Sequence, residues 1–211
     1  QVDGIVAASV ALSSQLLGRC QNAGVPVVLF NRSQDLQSLS SVTSDNLQGG
    51  RKVAEFLLAS APNRIGYIAG WEGASTQRDR EFGFRQRLAE AGRDIDLRMI
   101  GNFHMDSARQ ATLEMFDRKA PPDAIFVAND HMAFAVMDTL RFELGVSVPH
   151  DVSVVGYDDV PTAAWPAYDL TTVRQPVNQM VTRTVETLLR QIDDPGSIPS
   201  RVALDGPLII R

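Results

Sequence analysis

Asp45, Arg78, Arg80, Phe103, Asn129, Asp130, Asp158, Asp159 and Gln175 each follow a short apolar or β-branched run. In open α/β sheets, ligands sit beyond the carboxyl ends of the strands, so parallel runs would bring these residues together. Carboxylates, a guanidinium fork, amides and an aromatic face suit a polyol. A carboxylate accepts from adjacent hydroxyls, a guanidinium donates to hydroxyl and ring oxygens, and an aromatic ring packs on C–H surface. The set reads as sugar recognition.

Each residue also has a purely structural reading. Asp45 and Asp130 stand where a helix N-cap is expected. Arg78 and Arg80 lie near a helix start, where Arg opposes the macrodipole, and read equally as solvated surface. Phe103 reads as core, and Asp158-Asp159 as a turn pair, a cap or a metal site. Trp165 reads as packing or a subunit contact, and Cys20 as a small core filler. Convergence separates the binding reading from these.

Enzyme signatures are missing from the sequence. It has no G-x-S-x-G elbow, no G-x-x-x-x-G-K-[ST] phosphate loop and no G-x-G-x-x-G turn. His104, His131 and His150 lie in separate segments without metal-ligand spacing, so neither a metal nor a cofactor is expected. A glycosidase needs only two carboxylates, which Asp45 and Asp158 could supply, but that pair is unspecific.

Strands and helices alternate along the chain. The pattern predicts strands at Gly4–Ala8, Val25–Phe30, Val42–Ser44, Arg64–Ala69, Leu97–Ile100, Ala124–Val127, Ser153–Tyr157, Thr171–Arg174, Arg201–Leu204 and Leu208–Ile210. Between them it predicts helices at Leu12–Ala23, Asp45–Leu58, Ser75–Ala91, Asp106–Arg118, Asp130–Leu144 and Val177–Ile192, with Gly24, Gly92 and Gly145 as stops. Such βαβα order implies an α/β fold of parallel sheets covered by helices on both faces. A buried parallel strand at the very start needs a partner for its backbone, so natural sequence is expected upstream of Gln1.

The 211 residues are 44% apolar and 21% charged with a net charge of -5, values of an ordinary globular protein with room for one large domain or two lobes. No apolar run approaches the ~18 residues of a membrane span. Bases are scattered among acids, so this chain alone is a poor nucleic-acid binder. The single cysteine cannot form an intramolecular disulfide.

Six segments resemble, in order, the hallmarks of lactose-repressor (LacI/GalR) type transcriptional regulators. They are Val2–Val6, Val42–Asn46, Arg80–Phe84, Pro122–Asp130, Val148–Asp159 and Leu170–Pro176. The resemblance covers the effector core, which is similar to periplasmic sugar-binding proteins and implies two Rossmann-like lobes around a cleft. It implies ligand contacts from Asp45, Arg80, Phe103, Asn129, Asp158 and Gln175, with Arg78 and Asp130 as secondary candidates.

By the same resemblance, the first lobe takes residues 1–61 and 176–200, and the second takes 62–175 and 201–211. Crossovers fall near Ser60–Asn63, Arg174–Val177 and Ser197–Leu204. The first lobe is incomplete at its N-terminus, and the family's DNA-binding helix-turn-helix is absent from this chain. Two stretches depart from the family pattern, Leu58–Arg64 and His104-Met105-Asp106. The implied protein is a cytoplasmic bacterial regulator, a homodimer in which a sugar-like effector closes the cleft and alters operator affinity. The rivals are a periplasmic sugar-binding protein for transport and a carbohydrate-active enzyme.

Overall fold

The structure is a computed structural model and describes residues 2–8, 18–20, 22–34 and 39–211. The chain divides into two compact units. One holds Gln1–Asp45, Ala74–Thr76 and Pro176–Asp205, and the other holds Asn46–Gly73, Gln77–Gln175 and Gly206–Arg211.

The first unit is built on a four-stranded parallel sheet, β1 (Ile5–Ala8), β2 (Val27–Phe30), β3 (Ser40–Ser44) and β9 (Arg201–Leu204), in that spatial order. Side chains alternate across it, as strand geometry requires. Val27 and Leu29 bury with Ala7, Cys20 and Leu39 on one face. Val28 and Val42 bury on the other with Met180, from the helix Val177–Asp193. Cys20 is thus a buried core residue. Gly18–Cys20 are helical, and the remainder of the helix expected over Leu12–Ala23 falls largely outside the described residues.

The second unit carries a six-stranded sheet in the order β10 (Leu208–Ile209), β8 (Thr171–Arg174), β7 (Ser153–Asp158), β6 (Ala124–Val127), β4 (Ile65–Ala69) and β5 (Leu97–Ile100). Its strands are parallel, as expected of this α/β order, with the two-residue β10 added antiparallel to β8 at the edge. The central strands β4 and β6 are buried throughout, giving the continuous apolar runs of a sheet covered on both faces. Tyr67, Phe84 and Phe126 stack at the centre, with ring centroids 5.0–5.9 Å apart.

Two helices, Asn46–Ala59 and Ser75–Glu90, approach each other through glycines. A Cβ on Gly50 would lie 2.1 Å from the Arg80 carbonyl oxygen, and one on Gly83 would lie 2.0 Å from that of Leu47. Only glycine permits this approach. It sets the height at which Arg80 meets the sheet.

Several expected boundaries are corrected. The helix Asn46–Ala59 belongs to the second unit, because it packs on β8 and β10 and its Gly49 lies against the Tyr157 ring. Residues 201–204 belong to the first, because β9 pairs with β3 from Ser41↔Arg201 to Ser44↔Leu204. The crossings therefore fall at residues 45/46, 175/176 and 205/206, and Ala74–Thr76 belongs to the first unit. The helix expected over Asp130–Leu144 is α-helical only to Asp138 and finishes as a π-turn over Thr139–Glu143, before Gly145 ends it at φ +67°. The helix after β5 spans Met105–Phe116.

Candidate functional site

Arg80 sits on the inner face of the helix Ser75–Glu90, which buries Gln77, Arg80, Phe84 and Leu88 at three- and four-residue spacing. It is only 3% exposed, so its charge needs partners. Nε donates to Asn46 Oδ1 at 2.8 Å, Nη1 to the Ala128 carbonyl at 2.5 Å and Nη2 to Asp158 Oδ1 at 3.3 Å. The guanidinium carbon lies 3.7 Å from the centroid of the Tyr157 ring. One helix start, two strand ends and an aromatic face therefore hold the fork in one orientation.

Asp158 ends β7, and its Oδ1 also accepts from Gln175 Nε2 at 2.5 Å. Burial pushes its carboxyl above the ordinary range, opposed by the Arg80 charge, the Gln175 hydrogen bond and the His131 charge. Its side chain is still 21% exposed. Both bonds land on Oδ1. Asp158 and Asp159 have φ of 129° and 56°. Non-glycine residues in such conformations cost of order 1–3 kcal/mol each and cluster at binding sites.

The other expected site residues are placed as follows. Asn129 caps the helix Asp130–Asp138, its Oδ1 accepting from Met132 N–H at 3.1 Å. The cap is therefore Asn129, which corrects the capping reading of Asp130. Asp130 is fully buried, taking Thr172 Oγ1–H at 2.6 Å and Val160 N–H at 2.9 Å. Asp159 is held between Arg174 and Arg211 at 2.5 and 2.7 Å, an ion-paired tie between strands and chain end. Phe103, at φ 62°, rests its ring on Gly70, where a Cβ would lie 2.2 Å from the ring carbons. Arg78 is exposed. Asp45 lies in the first unit, with its N–H bonded to the Leu204 carbonyl.

Arg80, Asp158 and Gln175 are thus joined directly, with Asn129 next to the Ala128 carbonyl that anchors Arg80. Sequence reading missed Asn46, Tyr157 and Gln77. Asn46 directly follows Asp45, and Gln77 lies one turn before Arg80, so both carried a positional signal. Tyr157 carried none, because an aromatic in a strand reads as core. Among the described residues no group of three His, Cys, Asp or Glu side chains could hold a metal ion, and no helix is long and apolar enough to cross a membrane.

A family profile described as a periplasmic binding protein-like domain matches residues 54–211. The chain is 34% identical over its whole length to the HTH-type transcriptional regulator CelR of Thermobifida fusca, covering 63% of it. It is 29% identical to the repressor PurR of Photobacterium profundum, again over all of this chain and 64% of the relative. It therefore spans less than two thirds of these relatives. Both relatives are transcriptional regulators.

Among solved structures, a CelR–cellobiose complex superposes with a TM-score of 0.92 at 34% identity, over all of this chain and 65% of that one. A LacI family regulator from Enterococcus faecalis with bound ribose gives 0.88 at 26% identity, over 99% of this chain and 76% of that one. The fold, the order of its motifs and these matches lead to one conclusion: the chain belongs to the periplasmic binding protein-like domain family.

Proposed function

We propose that this chain is the effector-sensing core of a LacI-type bacterial transcriptional regulator, binding a small sugar or sugar derivative and thereby changing affinity for operator DNA. The buried Arg80 fork, shared with Asp158 and Gln175 at the carboxyl ends of the strands, carries the reading. Its donors are oriented before any ligand arrives, so little ordering cost is left for binding.

Arg80, Asp158 and Gln175 contact hydroxyls, Phe103 offers an apolar face, and Asn129 contacts ligand while capping its helix. Asp45 and Arg78 keep the contact roles their motif positions imply. Asp130, with both carboxylate oxygens engaged inside the protein, serves as scaffold. The protein works as a cytoplasmic homodimer, since operator half-sites demand two-fold symmetry, and DNA is bound by a region outside these 211 residues. The effector can bias that region only by its difference in affinity between two protein states.

Calorimetry with a panel including cellobiose, ribose and purine bases tests the reading on wild type, Asp158→Ala and Gln175→Ala. Binding of a sugar that weakens by about tenfold or more in both variants is expected, because truncation strands a buried charged or polar partner. Gln175→Ala leaves the Arg80 anchors in place and so separates lost contact from misfolding. Unchanged affinity in both variants removes these residues from the site, and a panel in which no sugar binds ends the proposal.

A further inference from the structure

Asp158 and Asp159 form a two-residue turn at positive φ, 129° and 56°. Non-glycine residues keep such backbone only where the surrounding contacts over-determine it. Contacts at both ends of this turn lead to one side chain, Asp130, the first residue of the helix Asp130–Asp138. Before the turn, Gly156 passes so close that a Cβ there would lie 2.3 Å from Asp130 Oδ1. After the turn, Val160 N–H donates to Asp130 Oδ2 at 2.9 Å. Oδ1 also accepts from Thr172 Oγ1 at 2.6 Å, on β8, where Thr172 stands in register with Gly156. A single buried carboxylate thus touches the strand that enters the turn, the strand beside it and the loop that leaves it.

This clamp needs two polar atoms in one plane, and truncation would leave the Val160 N–H and the Thr172 hydroxyl without their acceptors. It does not need a charge, since an amide offers an acceptor to Val160 and a donor to Thr172. The charges that face Asp130 from the turn are Asp158 and Asp159, and both raise its carboxyl. Cations nearby answer those two instead: Arg80 pairs with Asp158, Arg174 and Arg211 pair with Asp159, and the His131 charge acts on Asp158. The neighbouring helix Met105–Phe116 buries Ala108, Ala111, Thr112 and Met115 and presents no charge on that face. Asp130 has no ion pair of its own among the described residues.

We propose that Asp130 is a positioning residue for the effector: it clamps the turn that presents Asp158 to the ligand, and its own negative charge weakens binding. This rests on Asp158 contacting the sugar. Sugar hydroxyls that donate to the Asp158 carboxylate favour its ionised form, and the ring displaces water from around it. Repulsion between two carboxylates grows as water leaves. The bound protein therefore holds the Asp130 proton more tightly than the free protein, and by reciprocity affinity is higher where Asp130 is neutral. Burial first, then the turn's charges, bring this carboxyl to about 6 in the free protein, so the change falls between mildly acidic and neutral pH.

Calorimetry on the full chain with cellobiose, glucose and ribose across pH tests this, using wild type, Asp130→Asn, Asp130→Ala and Asp158→Ala. The ratio of wild-type to Asp130→Asn Kd should rise from about one near about pH 5 to about three near about pH 8. The ratio cancels the titration of Asp158, which both proteins share, and a role in folding alone would not move it with pH. Asp130→Ala should weaken binding by about tenfold or more at every pH, with Asp130→Asn restoring it. If Asp130→Ala does not fold, the ratio decides by itself. A ratio that stays constant with pH, or a folded Asp130→Ala that binds as wild type does, would overturn the assignment while loss of binding in Asp158→Ala upholds the sugar site. Unchanged affinity in Asp158→Ala, or failure of wild type to bind any sugar of the panel, would end both.

Discussion

Asp130→Asn at the buried carboxylate is expected to make the second unit more stable at neutral pH. Asp130 is fully buried, and desolvation raises its carboxyl from the ordinary 3.8 to about 6. That value is the balance of burial, which raises it most, the Thr172 and Val160 hydrogen bonds, which lower it, and the Asp158 and Asp159 charges, which raise it. The folded protein therefore holds this proton more tightly than the unfolded chain. Stability falls as pH rises from about 4 to about 6, and the cost is complete above that window. At 1.36 kcal/mol per pH unit, the gap from 3.8 to about 6 corresponds to about 3 kcal/mol.

Asparagine keeps the geometry without the charge, its oxygen accepting from Val160 N–H and its amide donating to Thr172 Oγ1. Urea unfolding followed by tryptophan emission reads the right part of the chain, since Trp71 and Trp165 both lie in the second unit. Wild type and Asp130→Asn should be similar near about pH 4 and should separate in favour of asparagine by up to about 3 kcal/mol near about pH 7. A variant that is less stable at neutral pH, with a gap that does not change between those values, would refute the argument.

Gly50→Ala should lower the stability of the same unit by about 1–3 kcal/mol, because the new Cβ meets backbone on both sides, the Arg80 carbonyl at 2.1 Å and Phe84 N at 2.9 Å. An unchanged urea midpoint would show that the two helices separate without cost. Asn129→Ala should cost about 1 kcal/mol through loss of the cap while Asn129→Asp holds stability. Equal unfolding midpoints for the alanine and aspartate variants would refute the capping role.

Much of the fold was legible in the chain. The strands at Leu97–Ile100, Ala124–Val127 and Thr171–Arg174 fall where their β-branched runs placed them. Gly92 and Gly145 stop helices at positive φ as read. Both signals are local, since side-chain period and turn chemistry reside in a few neighbouring residues. The same locality explains the misses. Arg201–Leu204 is a strand as expected but joins β3, because a short edge strand does not encode its partner.

Candidate site residues were legible as types at strand ends, not as contacts. What each carboxylate pairs with depended on residues far along the chain, Thr172 for Asp130, Arg174 and Arg211 for Asp159, Arg80 and Gln175 for Asp158. The amino-acid order by itself determined the alternation of elements, the family and the chemistry on offer, because those follow from local pattern. Only the tertiary structure decided that Arg80 is buried, that Asn46, Ala128 and Tyr157 hold it, and that both Asp130 oxygens accept hydrogen bonds within the fold, because burial and pairing arise only when distant segments pack together.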